Sequence, residues 1–230
     1  MTKNSNFNFS LSELAQRGDK TTRALIRDAE RFLEYGYNDT MRDKIIAIII
    51  LVKEFPTDDY FEGMQKMKTN IKNMVREKLE NDINDLRNRA RLVFGHKSIE
   101  YSLFRFTSMT EMTDSEMVRY ALHVIKVAEP RLELLAKRQV TQENLDSIRT
   151  HRSNLDEAID EQSSAISLRK EKSLERNKLA NDLYKLISEI CEAGKMMWKG
   201  VNEAYYTDYV IYGSSKSMAE QVEEEITDEQ

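Results

Sequence analysis

The sequence predicts an all-α protein: an elongated antiparallel helical bundle with long helices, with two helix-pair units as one way of building it. Three observations predict this. The 230 residues include only 2 prolines and 7 glycines, too few turn formers for a sandwich or a doubly wound sheet. Leu, Ile, Glu, Lys, Arg and Met, which favour helix, supply much of the rest. Apolar residues then recur at every third or fourth position along most of the chain.

Taken in order, Ser10 or Ser12 caps a first helix that reaches about Tyr35. Gly18 weakens its middle and Gly36 suits its end. Asp39 caps a second helix to about Phe55. Its run Ile45–Val52 is apolar on nearly all sides, which predicts burial on nearly all sides and a place at the centre of the core. Pro56 breaks the chain, and Thr57 or Asp58 opens a third helix to Phe94. Its stripe is Phe61, Met64, Met67, Ile71, Val75, Leu79, Ile83, Leu86, Ala90 and Val93.

Residues 96–112 mix helical and alternating patterns, and a short helix across one end of a bundle is expected there. Thr113, with Glu116 three positions on, carries a capping box for a helix that Pro130 kinks before about Lys137. From Thr141 to Trp198 the pattern stays helical, but between Ser167 and Asp182 the apolar stripe thins among charged residues. That stretch reads as a solvated mid-section, a break, or an arm against a similarly polar helix.

Residues 1–212 read as one bundle domain. A duplication over 39–94 and 114–198 is suggested by Arg42–Ile45–Ile48 echoing Arg119–Leu122–Ile125, and by Thr57–Phe61–Met64 echoing Thr141–Leu145–Ile148. Residues 213–230 carry the whole net charge of −5, through Glu220, Glu223, Glu224, Glu225, Asp228 and Glu229 against Lys216. They read as a disordered acidic tail, and the neutral body lacks a global field for nucleic acid or anionic lipid. The polar start has no signal-peptide core. A single cysteine, Cys191, forbids an intramolecular disulfide, and the longest apolar run is far shorter than the ~20 residues a bilayer requires. Cytoplasmic residence is expected.

Catalytic signatures are missing from the pattern. None of His96, His123 and His151 has a glutamate three positions before it, so the ligand pair of di-iron bundles is lacking. The glycines stand singly and make no phosphate loop. Cys191 sits on an apolar stripe and reads as a packed thiol. The expectation is therefore a non-enzyme without metal or cofactor.

Three surfaces remain. Lys66–Lys97 is a basic helix segment that could track phosphates, though a solvated face neutralised by acids such as Asp156, Glu157, Asp160 and Glu161 outweighs that reading. Met64, Met67, Met74, Met109, Met112 and Met117 read as core filling before they read as an adaptable groove. Trp198, Tyr205, Tyr206, Tyr209 and Tyr212 make a dense aromatic patch near the C-terminus. It is either closure of the bundle or a docking patch, because Trp and Tyr anchor interfaces; Gly194 is expected to let another helix approach closely.

The segments TSMTEMTDSEMVRYALHV and DLYKLISEICEAGKMMWKGVNEAYYTDYVIY resemble a family of all-helical proteins from anaerobic gut bacteria that has no assigned activity. That resemblance implies a helical bundle in the cytoplasm and assigns no functional residue. The function expected from the residues is a scaffold or protein-interaction bundle, with an unknown protein partner or self-association. Alternatives are a membrane-associated or switching bundle using residues 45–52, and nucleic-acid binding through residues 66–97.

Overall fold

The computed structural model describes residues 5–106 and 108–212; the acidic stretch 213–230 lies outside them. The fold is all-α: 81% of the described residues are helical, and no strand occurs among them. The helices are α1 (Leu11–Arg27), α2 (Ala29–Glu34), α3 (Asp39–Glu54), α4 (Asp58–Phe94), α5 (Ile99–Ser102), α6 (Asp114–Ala128), α7 (Leu132–Leu135), α8 (Gln142–Trp198) and α9 (Glu203–Asp208). Among the described residues, no helix is long and apolar enough to cross a membrane.

Local chemistry sets most helix starts. Ser10 Oγ accepts from Glu13 N, and Thr113 and Glu116 complete the capping box at α6. Asn38, one residue before the expected Asp39, caps α3. The first expected helix is divided at Asp28, whose backbone leaves helical geometry while its N–H still bonds Ala24 O. Pro130 lies in a 3-10 turn, Glu129–Arg131, that separates α6 from α7. Among the described residues of 96–112, the four-residue α5 is the only helix.

Contacts gather the chain into two compact units, Thr57–Lys170 and a pairing of Met1–Pro56 with Glu171–Gln230. These boundaries differ from the duplication weighed over 39–94 and 114–198. The division falls within the polar stretch of α8. Between Ala158 and Ala180 no α8 residue is buried.

In the 57–170 unit, α4 and α8 pair antiparallel. Asp58 and Glu62 meet Arg169, Lys68 meets Glu161, Thr69 meets Gln162, and Asp82 meets Ser147 and His151. The partners thus climb one helix while descending the other. The core gathers Leu79, Ile83, Leu86 and Ala90 of α4, Met117, Ala121, Val124 and Ile125 of α6, and Leu145, Ile148 and Leu155 of α8. Tyr101, Phe104 and Met109 of the irregular segment close this core, with Phe104 and Phe106 stacked at 5.0 Å.

In the other unit α1 runs parallel to the last part of α8. Asn6 meets Asn181, Phe9 meets Tyr184, Thr21 meets Cys191 and Asp28 meets Trp198, rising together along both segments. Gly18 lies between helices: a Cβ there would sit 2.9 Å from Ile49 and 3.5 Å from Ile187. A residue that costs a helix ~1 kcal/mol is what lets α3 and α8 approach α1.

The expectation for Ile45–Val52 is corrected. Ile45, Ile49 and Val52 are buried, but Ile50 and Leu51 are 47% and 53% exposed and Ala47 is open too. The run is one-sided because α3 is covered along one face only. The α4 stripe is corrected similarly: Phe61 and Leu79–Ala90 reach the core, whereas Met67 and Ile71 face solvent.

Candidate functional site

The C-terminal aromatics come together around a residue that the sequence pattern does not single out. After Trp198 the chain turns through Gly200, at φ 72°, and Asn202 caps α9 by accepting from Tyr205 N at 3.2 Å. The short α9 carries the chain back along the bundle. Tyr205 meets Trp198 edge-on at 4.8 Å. Tyr209 is fully buried, and its ring occupies the space over Gly194, where a Cβ would fall 2.4 Å from ring atoms. Gly194 therefore admits a tyrosine ring rather than another helix.

Asp28 is the polar centre. Its side chain is 2% exposed. Trp198 Nε1 donates to Oδ2 at 2.9 Å and Tyr209 OH donates to the same oxygen at 2.7 Å. Arg27 adds two bonds of 2.8 Å, from Nε to Oδ1 and from Nη2 to Oδ2. Arg27 also bonds Asp208 at 2.7 Å and lies 3.6 Å over the Tyr205 ring. Arg31 covers Trp198 at 4.1 Å.

Burial pushes the Asp28 carboxyl up, but donors from Arg27, Tyr209 and Trp198 outweigh it and hold the group below its ordinary value. Burial, then the bond to Asp28, raises the Tyr209 phenol, and the bond to Asp28 raises Arg27 further. A carboxylate, a neutral phenol and a guanidinium are thus fixed at neutral pH. The arrangement clamps the segment after α8 to the α1–α2 junction.

Of the expected patch, Trp198 and Tyr209 are interior, Tyr205 and Tyr206 are half-buried, and Tyr212 is exposed, with its OH 2.9 Å from that of Tyr184. Arg27, Asp28 and Arg31 are the partners that sequence reasoning missed. Their signal is weak, an acid inside an otherwise regular helical pattern with its partners far along the chain.

The other candidates resolve into local pairings. Burial raises the Cys191 thiol, whose Sγ lies 3.7 Å from Thr21 Oγ1. An open cavity of about 270 Å³ beside it is walled by the pairs Arg17–Glu13 and Lys20–Asp208. His151 Nδ1 lies 2.7 Å from Asp82, and His123 Nε2 lies 3.0 Å from Leu103 O. No cluster of three His, Cys, Asp or Glu that could hold a metal occurs among the described residues.

On the basic segment, Lys66 pairs with Glu62, Lys68 with Glu161, Arg76 with Glu80 and Asp114, and Arg89 with Asp85. Of the expected acids, Glu161 is used; Asp114 is the main partner not foreseen, and Lys72 also pairs with it. The methionines divide: Met109 and Met117 are core, while Met67 and Met74 are exposed. No protein-family model, curated protein or solved structure matches the chain, so the site stands on its geometry.

Proposed function

We propose that the chain is a non-enzymatic interaction module whose helices present apolar faces to a protein partner. The observation that carries this is the rows of large apolar side chains left in water at helical spacing. Ile50 and Leu51 stand on α3, and Tyr60, Met67, Ile71 and Met74 stand on α4. Soluble monomers seldom leave such surface contiguous unless it is used. Reactive groups, in contrast, are engaged in structure: Asp28 accepts four hydrogen bonds and the Cys191 thiol is buried. In this reading the C-terminal aromatics fasten the fold, and docking belongs to the helix faces. Cytoplasmic residence is part of the proposal, since a lone thiol is at home in a reducing compartment.

Affinity capture from native extract tests it. A partner retained by the wild type is expected to be lost with Ile50→Lys/Leu51→Lys or with Met67→Lys/Ile71→Lys, and kept with Tyr206→Ala. Capture by all variants alike would remove the proposal. A second reading, surface attachment to membranes through α3, is favoured only by the exposure of Ile50 and Leu51. It requires co-sedimentation with anionic liposomes that Ile50→Lys/Leu51→Lys abolishes.

A further inference from the structure

The first half of α4 is turned the wrong way for a helix that serves only its own core. Its side toward α8 is polar: Asp58, Glu62 and Gln65 meet Arg169, and Thr69 meets Gln162. Its solvent side carries Tyr60, Met67, Ile71 and Met74, exposed from 39% at Ile71 to 59% at Met74, with Met64 half-buried among them. The steps along Tyr60, Met64, Met67, Ile71 and Met74 alternate four and three, the repeat with which helices wind together. Gly63 lies on this open side, and a Cβ there would meet nothing within 4 Å. Among the described residues, no close packing accounts for a mid-helix glycine that costs ~1 kcal/mol.

We infer that this face pairs with the same face of a second copy of the chain, antiparallel, about a two-fold axis level with Thr69, one residue from the exposed Asn70. This rests on reading the chain as an interaction module and names its partner. The face is self-complementary, as an isologous contact requires. Reversed on itself, it sets Met67 against Ile71 twice at the centre and Met64 against Met74 on either side. At each end exposed Lys78 meets exposed Tyr60, a cation over a ring, with Asp59 beside it. Parallel pairing would instead stack Lys78 on Lys78 and Asp59 on Asp59. Methionine suits such a seam because its flexible thioether fills irregular gaps. A single helix pair buries area near the lower end of the ~1,200–2,000 Å² of stable interfaces, so the dimer is concentration-dependent.

Sedimentation velocity of the full chain from about 1 to about 300 µM tests this across the range where a small interface associates. The wild type is expected to shift from monomer to dimer. Met67→Lys/Ile71→Lys is expected to weaken association more than tenfold while leaving the thermal midpoint unchanged at about 1 µM, where the wild type is monomeric, because both residues already face water. Mild oxidation is expected to link Asn70→Cys into a covalent dimer, and to leave Asp59→Cys monomeric. A wild type that stays monomeric, a double variant that still dimerises or loses several degrees of midpoint, or cross-linking of both cysteine variants or of neither would overturn the inference. If the wild type is monomeric but Met67→Lys/Ile71→Lys releases a captured protein, self-pairing fails while the interaction-module reading stands.

Discussion

Asp28 and Gly194 show how much of the C-terminal segment depends on one buried carboxylate and one missing side chain. Asp28→Asn keeps the shape and removes the charge that Arg27, Trp198 and Tyr209 share. It is expected to cost about 1.5–3 kcal/mol in urea unfolding, as for a lost charge-assisted bond. The pH dependence follows from the direction of the shift. A carboxyl held below its unfolded value contributes stability that is complete above ~4 and fades as pH falls through the folded value. Asp114 behaves alike, with burial opposed by Lys72 and Arg76. Acid titration of Asp28→Asn should therefore show a shallower loss below pH ~4 than the wild type. Gly194→Ala would drive a methyl into the Tyr209 ring and is expected to cost about 1–3 kcal/mol. Gly63→Ala, with open space around it, should raise monomer stability by about 0.5–1 kcal/mol. The sequence made Trp198 and Tyr209 visible as dense aromatics, but not Asp28, because a buried acid has no local signature when its donors lie far away in sequence.

At the level of elements, periodicity revealed which segments are helices and capping chemistry revealed where several begin. Thr113 and Glu116 form their box as spacing implies. What periodicity could not reveal is how many sides of a helix are covered. The run Ile45–Val52 is apolar all round, yet only Ile45, Ile49 and Val52 find cover, since coverage depends on neighbours that no local pattern encodes. Two variants separate the faces: Ile49→Ala should cost about 2–4 kcal/mol, and Leu51→Lys should leave unfolding nearly unchanged. The α8 mid-section was legible as an apolar gap, and helix bridges it unbroken. With no buried residue between Ala158 and Ala180, backbone amides there are expected to exchange with deuterium faster than those at Leu145–Leu155 or Leu183–Ile190.

For the molecule as a whole, the chain reads as one bundle in sequence and as two compact units by contact. The reason is that Phe9, Leu14 and Leu25 near the start share a core with Leu183, Ile187 and Trp198 near the end, a long-range pairing that stripe counting does not disclose. Trp198 is the only tryptophan and lies in this unit. Its fluorescence reports that core, whereas far-UV circular dichroism reports all helices. Urea curves from the two probes should not coincide. Ile83→Ala should move the dichroism curve more than the fluorescence curve.

Cys191, shielded beneath Thr21 and held as the neutral thiol, also gives the chain a chemical clock. With the residue only 2% exposed, a disulfide reagent such as Ellman's is expected to modify it mainly when the packing around it opens, so the labelling rate in dilute denaturant follows those openings. The same shielding leaves a surface-introduced thiol as the only one that reacts promptly, and fluorophores can be attached at chosen positions without first removing the native residue.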